Sequence, residues 1–152
     1  MYGSLKVLFV CTGNVFRSLT AEYALRHMRC DLDVASAGTE DYPHIVRPEV
    51  SDYLRQKGYD VSAHRRRTLT SDMLDAHVIA MSLDHRDFIR RNFGKEVPVF
   101  LECCGGAAEA LLDLEEAVAD YRTNSAAAVA FMRETIDRIV ELTPRLAARI
   151  GG

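Results

Sequence analysis

Apolar and polar positions along the chain alternate between two patterns. Short continuous apolar runs, bounded by glycine or polar loops, occur at Lys6–Val10, Asp33–Gly38, His77–Ser82 and Val97–Leu101. Runs of that length predict strands buried on both faces. Between them lie segments with helical spacing. Leu19–Met28 is preceded by Ser18 at the N-cap position, Pro48–Lys57 is opened by proline and stopped by Gly58, and Asp84–Asn92 is closed by Gly94. The longest runs from Ser125 to about Ile150, with Val129, Met132, Ile136, Ile139 and Val140 at helical spacing, and Pro144 predicts a kink or restart. Strands alternating with helices predict a three-layer α/β fold, a four-stranded parallel sheet covered on both faces. No repeat, low-complexity segment or linker interrupts the pattern, so residues 1–152 read as one domain.

Ligands of such sheets bind at the carboxyl ends of strands. The first strand ends at Val10, and "CTGNVFRS", Cys11 to Ser18, follows directly. A loop between a strand and a helix N-terminus presents several backbone N–H groups to one point, and the helix dipole adds positive potential. Gly13 and Asn14 both tolerate positive φ, as an anion-cradling turn needs. Arg17 offers a planar fork for two oxygens of a tetrahedral oxyanion. The N–H groups of residues 12–17 (Thr12, Gly13, Asn14, Val15, Phe16 and Arg17) would also stabilise a Cys11 thiolate, and the Ser18 hydroxyl can donate to its sulfur. A thiolate facing a bound phosphate is a nucleophile in line with phosphorus. The plainer alternative is a structural cysteine beside an ordinary turn.

Composition narrows the rest. The hydrophobic share is 48% and the charged share 27%, those of an ordinary globular chain. The four cysteines, Cys11, Cys30, Cys103 and Cys104, make no C-x-x-C pair and no zinc spacing, so free thiols and no metal are expected. A formal net charge of −3 argues against nucleic acid, and no apolar run approaches a membrane span. The N-terminal residues lack signal-peptide features, which predicts a cytoplasmic protein. The basic run His64–Arg67 reads as a solvated face, and His85, Arg86 and Arg90 as the exposed side of a helix.

"VCTGNVFRSLTAE" resembles the signature of the low-molecular-weight protein tyrosine phosphatase family, whose loop has the form C-x5-R-S. "SAGT", Ser36–Thr39, resembles the end of that family's second strand, and "LRQKGYDVSAHRRRTLTSDMLDAHVIAMSLDH" resembles its middle. The resemblance implies a flavodoxin-like sheet of four strands and a phosphatase that needs no cofactor. It implies a Cys11 nucleophile, an Arg17 anchor, and an acid on a late loop, where spacing to the last helix favours Asp120 over Asp113. It also implies that Ser36 and His64 brace Asn14, although His64 could equally be a surface residue. Partners would be a phosphotyrosine protein or small aryl phosphate, with inorganic phosphate or vanadate as ligands.

The chain departs from that pattern in places. Phe16 replaces a cysteine that some members carry, Leu19 replaces a proline, and Tyr121 follows Asp120 where proline is usual. Arg122 and Thr123 stand where tyrosines commonly flank the substrate, leaving Tyr42 with Val15 and Phe16 to wall the pocket. Two rival readings stay open. One is an arsenate reductase on the same fold, with Cys103 or Cys104 supplying a relay. The other is a phosphate or phosphotyrosine reader with little turnover.

Overall fold

The computed structural model describes residues 5–150. Strand β1 (Lys6–Cys11) lies between β2 (Asp33–Gly38) and β3 (His77–Ala80), and both pairings are parallel. Register runs from Lys6↔Asp33 to Cys11↔Gly38 on one side, and from Val7↔His77 to Val10↔Ala80 on the other. A strand flanked on both edges must bury both faces, which is why β1 is apolar without a break. Its side chains alternate: Val7, Phe9 and Cys11 enter one core layer, Leu8 and Val10 the other.

Helices α1 (Arg17–Met28) and α6 (Ser125–Arg149) cover the first face through Ala21, Leu25, Ile139 and Leu146. Helix α3 (Leu83–Phe93) covers the second through Ile89, together with Leu69 and Leu74. Helix α2 (Pro48–Gln56) packs Val50 and Leu54 on Leu19 of α1 and on Met132 and Ile136 of α6, forming an outer cluster. Gly94 at φ 69 ends α3, and Gly58 at φ 95 follows α2, so both glycine stops act through left-handed backbone.

Three elements differ from the sequence pattern. Among the described residues the sheet has three strands, and the segment expected as a fourth, Val97–Leu101, contributes only an isolated Ala80↔Val99 bridge. Pro98 has no N–H to donate, although its carbonyl accepts from Ala80 N at 3.0 Å. The Val99 N–H is taken at 2.8 Å by Glu102 Oε1, which starts the short helix α4 (Phe100–Cys103). Helix α1 begins at Arg17 with Phe16 as its N-cap, so Ser18 already lies inside the helix with its hydroxyl free for the loop. Helix α6 continues through Pro144 to Arg149. Among the described residues no helix is long and apolar enough to cross a membrane.

Ile139 is fully buried where α6 meets the sheet. Ile139→Ala should lower unfolding stability by about 3 kcal/mol with an unchanged urea slope. The exposed neighbour Glu141→Ala should stay within about 0.5 kcal/mol. An Ile139→Ala loss below about 1 kcal/mol would contradict this packing.

Candidate active site

At the end of β1 the chain leaves the sheet, and residues 12–16 loop back to the N-terminus of α1. The carbonyls of this loop are held from outside. Cys11 O accepts from Thr39 N at 2.8 Å, Thr12 O from Glu40 N at 3.1 Å, Gly13 O from Arg66 Nε at 3.0 Å, and Asn14 O from His64 Nε2 at 2.8 Å. In a trans peptide the N–H points opposite to its carbonyl, so these bonds turn the following amides toward the cleft. The loop is drawn tight against β2, where a side chain at Gly38 would put a Cβ 2.5 Å from Thr12 O. Gly13 does not need positive φ, and it is the His44 ring, 3.0 Å from its would-be Cβ, that asks for glycine there.

Asn14 carries the left-handed step, at φ 61, and is completely buried. Its Nδ2 donates to Ser18 Oγ at 2.9 Å and to Ser36 Oγ at 2.7 Å, while Oδ1 accepts from Arg67 N at 3.1 Å. The Ser36 hydroxyl donates to Glu22 Oε1 at 2.5 Å, and Glu22 pairs with Arg26 at 2.7 Å. Ser18 Oγ, already accepting from Asn14, lies 2.9 Å from Cys11 Sγ and has its proton left for the sulfur. The chain Glu22–Ser36–Asn14–Ser18–Cys11 thus ends on the thiol.

Arg17 is 1% exposed beneath the loop. Its Nη1 donates to Leu111 O at 2.7 Å. Its Nη2 lies 3.1 Å from Asp113 Oδ2, 3.3 Å from Thr12 Oγ1 and 3.5 Å from His85 Nε2. Cys11, Thr12, Gly13, Val15, Phe16 and Arg17 line one cleft of about 540 Å³. Its walls include the Tyr42–Arg47 segment, with Tyr42 and His44 stacked edge-on at 4.9 Å, and Tyr121, flanked by Arg47 and Arg122 at 5.5 Å each.

The structure brings together most of the residues the sequence singled out, leaves Asp120 outside, and adds His85. Asp120 is exposed, accepts from Asn124 Nδ2 at 3.3 Å, and does not line the cleft. Asp113 lines it instead, because α5 (Leu114–Ala117), capped by the Asp113 carboxylate on Leu114 N, folds the 111–113 segment over Arg17. His85 is not on an exposed helix face: it is 1% exposed, with Nε2 2.9 Å from Thr12 Oγ1. Arg66, in the basic run expected to be a solvated face, instead donates to Gly13 O, and Glu22, four residues after Ser18 on the same face of the helix, joins the hydrogen-bond chain behind the loop.

The other thiols are set apart. Cys103 and Cys104 lie near the α4–α6 contact, where burial pushes Cys103 up to about 12 and Cys104 up to about 11. Cys30 is exposed, and all four cysteines are free.

Burial first, then the neighbouring Arg17 charge, pushes His85 down to about 4. An unfolded histidine takes its proton near pH ~6.5, so between that pH and 4 the unfolded chain binds more protons and the fold loses stability as pH falls. The expected slope is at most about 1.4 kcal/mol per pH unit from this one group. Urea midpoints of the wild type and His85→Gln measured from pH 7 to 4.5 should show a shallower decline in the variant; parallel declines would remove His85 as the cause.

Similarity to known proteins agrees with this geometry. Over 77 residues the chain is 38% identical to an arsenate reductase of Staphylococcus aureus (strain Newman), covering 50% of this chain and 53% of that protein. Over 94 residues it is 35% identical to a protein-arginine-phosphatase of Geobacillus stearothermophilus, covering 58% of this chain and 62% of that one. The chain therefore spans about half to under two thirds of these curated relatives' length. The crystal structure of a YwlE mutant from Bacillus subtilis superposes with a TM-score of 0.81 at 27% identity, covering 98% of this chain and 100% of that one. The likeness of sequence extends well past the loop: residues 6–151 match the family described as "Low molecular weight phosphotyrosine protein phosphatase", and the chain belongs to that family.

Proposed function

We propose that this chain is a cysteine-dependent phosphomonoester hydrolase whose preferred substrate is phosphotyrosine in a protein, or a small aryl phosphate. The observation that carries the reading is the contact between Cys11 Sγ and Ser18 Oγ, 2.9 Å, beside a loop in which the carbonyls of Cys11, Thr12, Gly13 and Asn14 are held from outside the cleft. A sulfur that borders the cleft and already has a hydroxyl donor in place is positioned to act as a nucleophile. A reader of phosphate has no need of it.

In the mechanism, the thiolate attacks phosphorus in line with the leaving oxygen. Arg17 and the loop amides take the equatorial oxygens as charge develops. The P–O bond to the leaving group breaks, and a cysteinyl-phosphate remains on Cys11. Asp113 is our candidate acid, in place of Asp120. Its carboxylate borders the cleft and holds Arg17 in the free protein. A phosphate dianion reaching Arg17 displaces it, and the negative charge arriving beside it favours a proton on the carboxyl. That proton goes to the leaving oxygen. Water then attacks the cysteinyl-phosphate with Asp113 as base, releasing phosphate and the thiolate. Phosphate and vanadate should compete for the same cradle. Four free cysteines fit a reducing compartment, so we place the enzyme in the cytoplasm.

A second substrate reading has an observation behind it. Glu49, Asp113 and Glu115 line the cleft beside the aromatic wall, and carboxylates would suit the cationic leaving group of phosphoarginine, the substrate class in the name of the Geobacillus relative. The arsenate reductase reading is weaker here, because a relay thiol must become a thiolate and burial opposes that at Cys103 and Cys104.

Steady-state hydrolysis of a phosphotyrosine peptide and a phosphoarginine peptide tests both substrate and acid. Cys11→Ser should abolish turnover. Asp113→Asn should lower kcat on phosphotyrosine by about 10²-fold or more, and Asp120→Asn by less than about twofold. The reverse order would return the acid to Asp120. Higher kcat/KM on phosphoarginine would reassign the substrate. Arsenate-dependent oxidation of thioredoxin should be absent, and finding it would favour the reductase.

A further inference from the structure

We propose that His85 is the positioning residue for Arg17: a neutral imidazole whose bare Nε2 accepts the Thr12 hydroxyl proton and faces the guanidinium, fixing the arginine's plane beneath the loop. The inference rests on the phosphate-binding role given to Arg17 above.

The tautomer follows from the partners. Nε2 lies 2.9 Å from Thr12 Oγ1 and 3.5 Å from Arg17 Nη2. A guanidinium only donates, so the atom facing it must offer a lone pair. Thr12 Oγ1 accepts from Arg17 Nη2 at 3.3 Å, which leaves its own proton for Nε2. The ring proton therefore sits on Nδ1. That atom is buried without a hydrogen-bond partner, and Asp84 Oδ1, 3.7 Å away, supplies the negative charge that favours a proton there. The charged groups facing the ring are Arg17 from α1, Asp84 from its own helix and Asp113 from the 111–113 segment. Burial and Arg17 both act against a second proton, and both carboxylates act for it.

The consequence concerns what happens when substrate arrives. In the free protein Nη2 has three neighbours, Asp113, Thr12 and His85. Phosphate displaces Asp113, and the Thr12–His85 pair then holds Nη2 while Leu111 O still holds Nη1. The guanidinium exchanges one anion for another without rotating. A second proton on His85 would set a donor against a donor and a cation against a cation, and the hold on Nη2 would fail.

Two measurements test this on the intact chain. Long-range ¹H–¹⁵N spectra of the wild type should show His85 protonated on Nδ1 alone, without titration from pH ~8 to ~5. A proton on Nε2, or a midpoint near ~6.5, would overturn the proposal. Second, His85→Leu should weaken competitive inhibition of p-nitrophenyl phosphate hydrolysis by inorganic phosphate about tenfold, and His85→Gln, which restores an acceptor, should recover to within about threefold. Equal impairment in both variants would make the role one of packing and overturn the proposal, as would a Leu variant with wild-type phosphate affinity. Should the Leu variant not fold, the spectra and the Gln variant decide, and a tenfold loss in Gln counts against. The spectra need no turnover, so a wild type inactive on phosphoesters would refute the functional reading and leave the His85 test standing.

Discussion

The site depends on one residue in a left-handed conformation. For a side chain with a Cβ this costs roughly 1 kcal/mol or more, and it persists only where the surroundings over-determine it. Asn14 meets that condition with four hydrogen bonds, from Nδ2 to Ser18 and Ser36, to Oδ1 from Arg67 N, and to its carbonyl from His64. Glycine could adopt the same φ without strain, but it would leave Ser18 and Ser36 without their donor. Asparagine suits because it tolerates the conformation and also carries two donors and an acceptor. The left-handed step reverses the peptide planes, the outer ring of donors captures the carbonyls, and the amides face the cleft.

The second constraint is a buried cation. Placing a guanidinium at 1% exposure costs several kcal/mol before compensation, and its bonds to Leu111 O, Thr12 and Asp113 offset part of this. Such networks rarely add net stability. What they supply is charge fixed in place before the reaction begins, which needs no reorganisation as the transition state forms. Stability comes from the layers on either side of β1, where Val7 and Phe9 meet α1 and α6 while Leu8 and Val10 meet α3. The site stands where those layers end and the last backbone donors of the strand are no longer used by the sheet.

How much of this could be read in the chain follows from range. The phosphate loop was legible because Cys11, Asn14, Arg17 and Ser18 are contiguous, and one local turn brings them together. The strands and long helices were legible through their periods, and the strand expected at Val97–Leu101 failed because Glu102 competes for the Val99 N–H. The approach of Asp113 to Arg17 is not legible, because nothing local marks a segment that meets Arg17 from 94 residues away at Leu111. His85 stands among Asp84, Arg86 and Asp87, a setting that reads as solvent, and only the docking of the first turn of α3 against Thr12 buries it. Arg66 was hidden in the same way, since a run of basic residues looks solvated until the carbonyls it serves are known.

The four cysteines bring these threads together, because residue type alone does not distinguish them. Cys103 and Cys104 pack against the core beside α6, and desolvation, outweighing the nearby Arg145 and Arg149, opposes their charged forms. Cys30 is exposed on the surface and does not line the cleft. Cys11 is as buried as Cys104, at 2% and 3% exposure, so burial does not separate the two. The difference is in the donors. Around Cys11 the protein replaces lost water with a hydroxyl already oriented by Asn14 and with amides already turned inward by their pinned carbonyls. A sulfur so placed sits in a dry site with a hydrogen-bond donor already in position. Removing the outer donors Thr39, Glu40, His64 and Arg66, none of which lines the cleft, would leave Cys11 resembling the inert cysteines of the core.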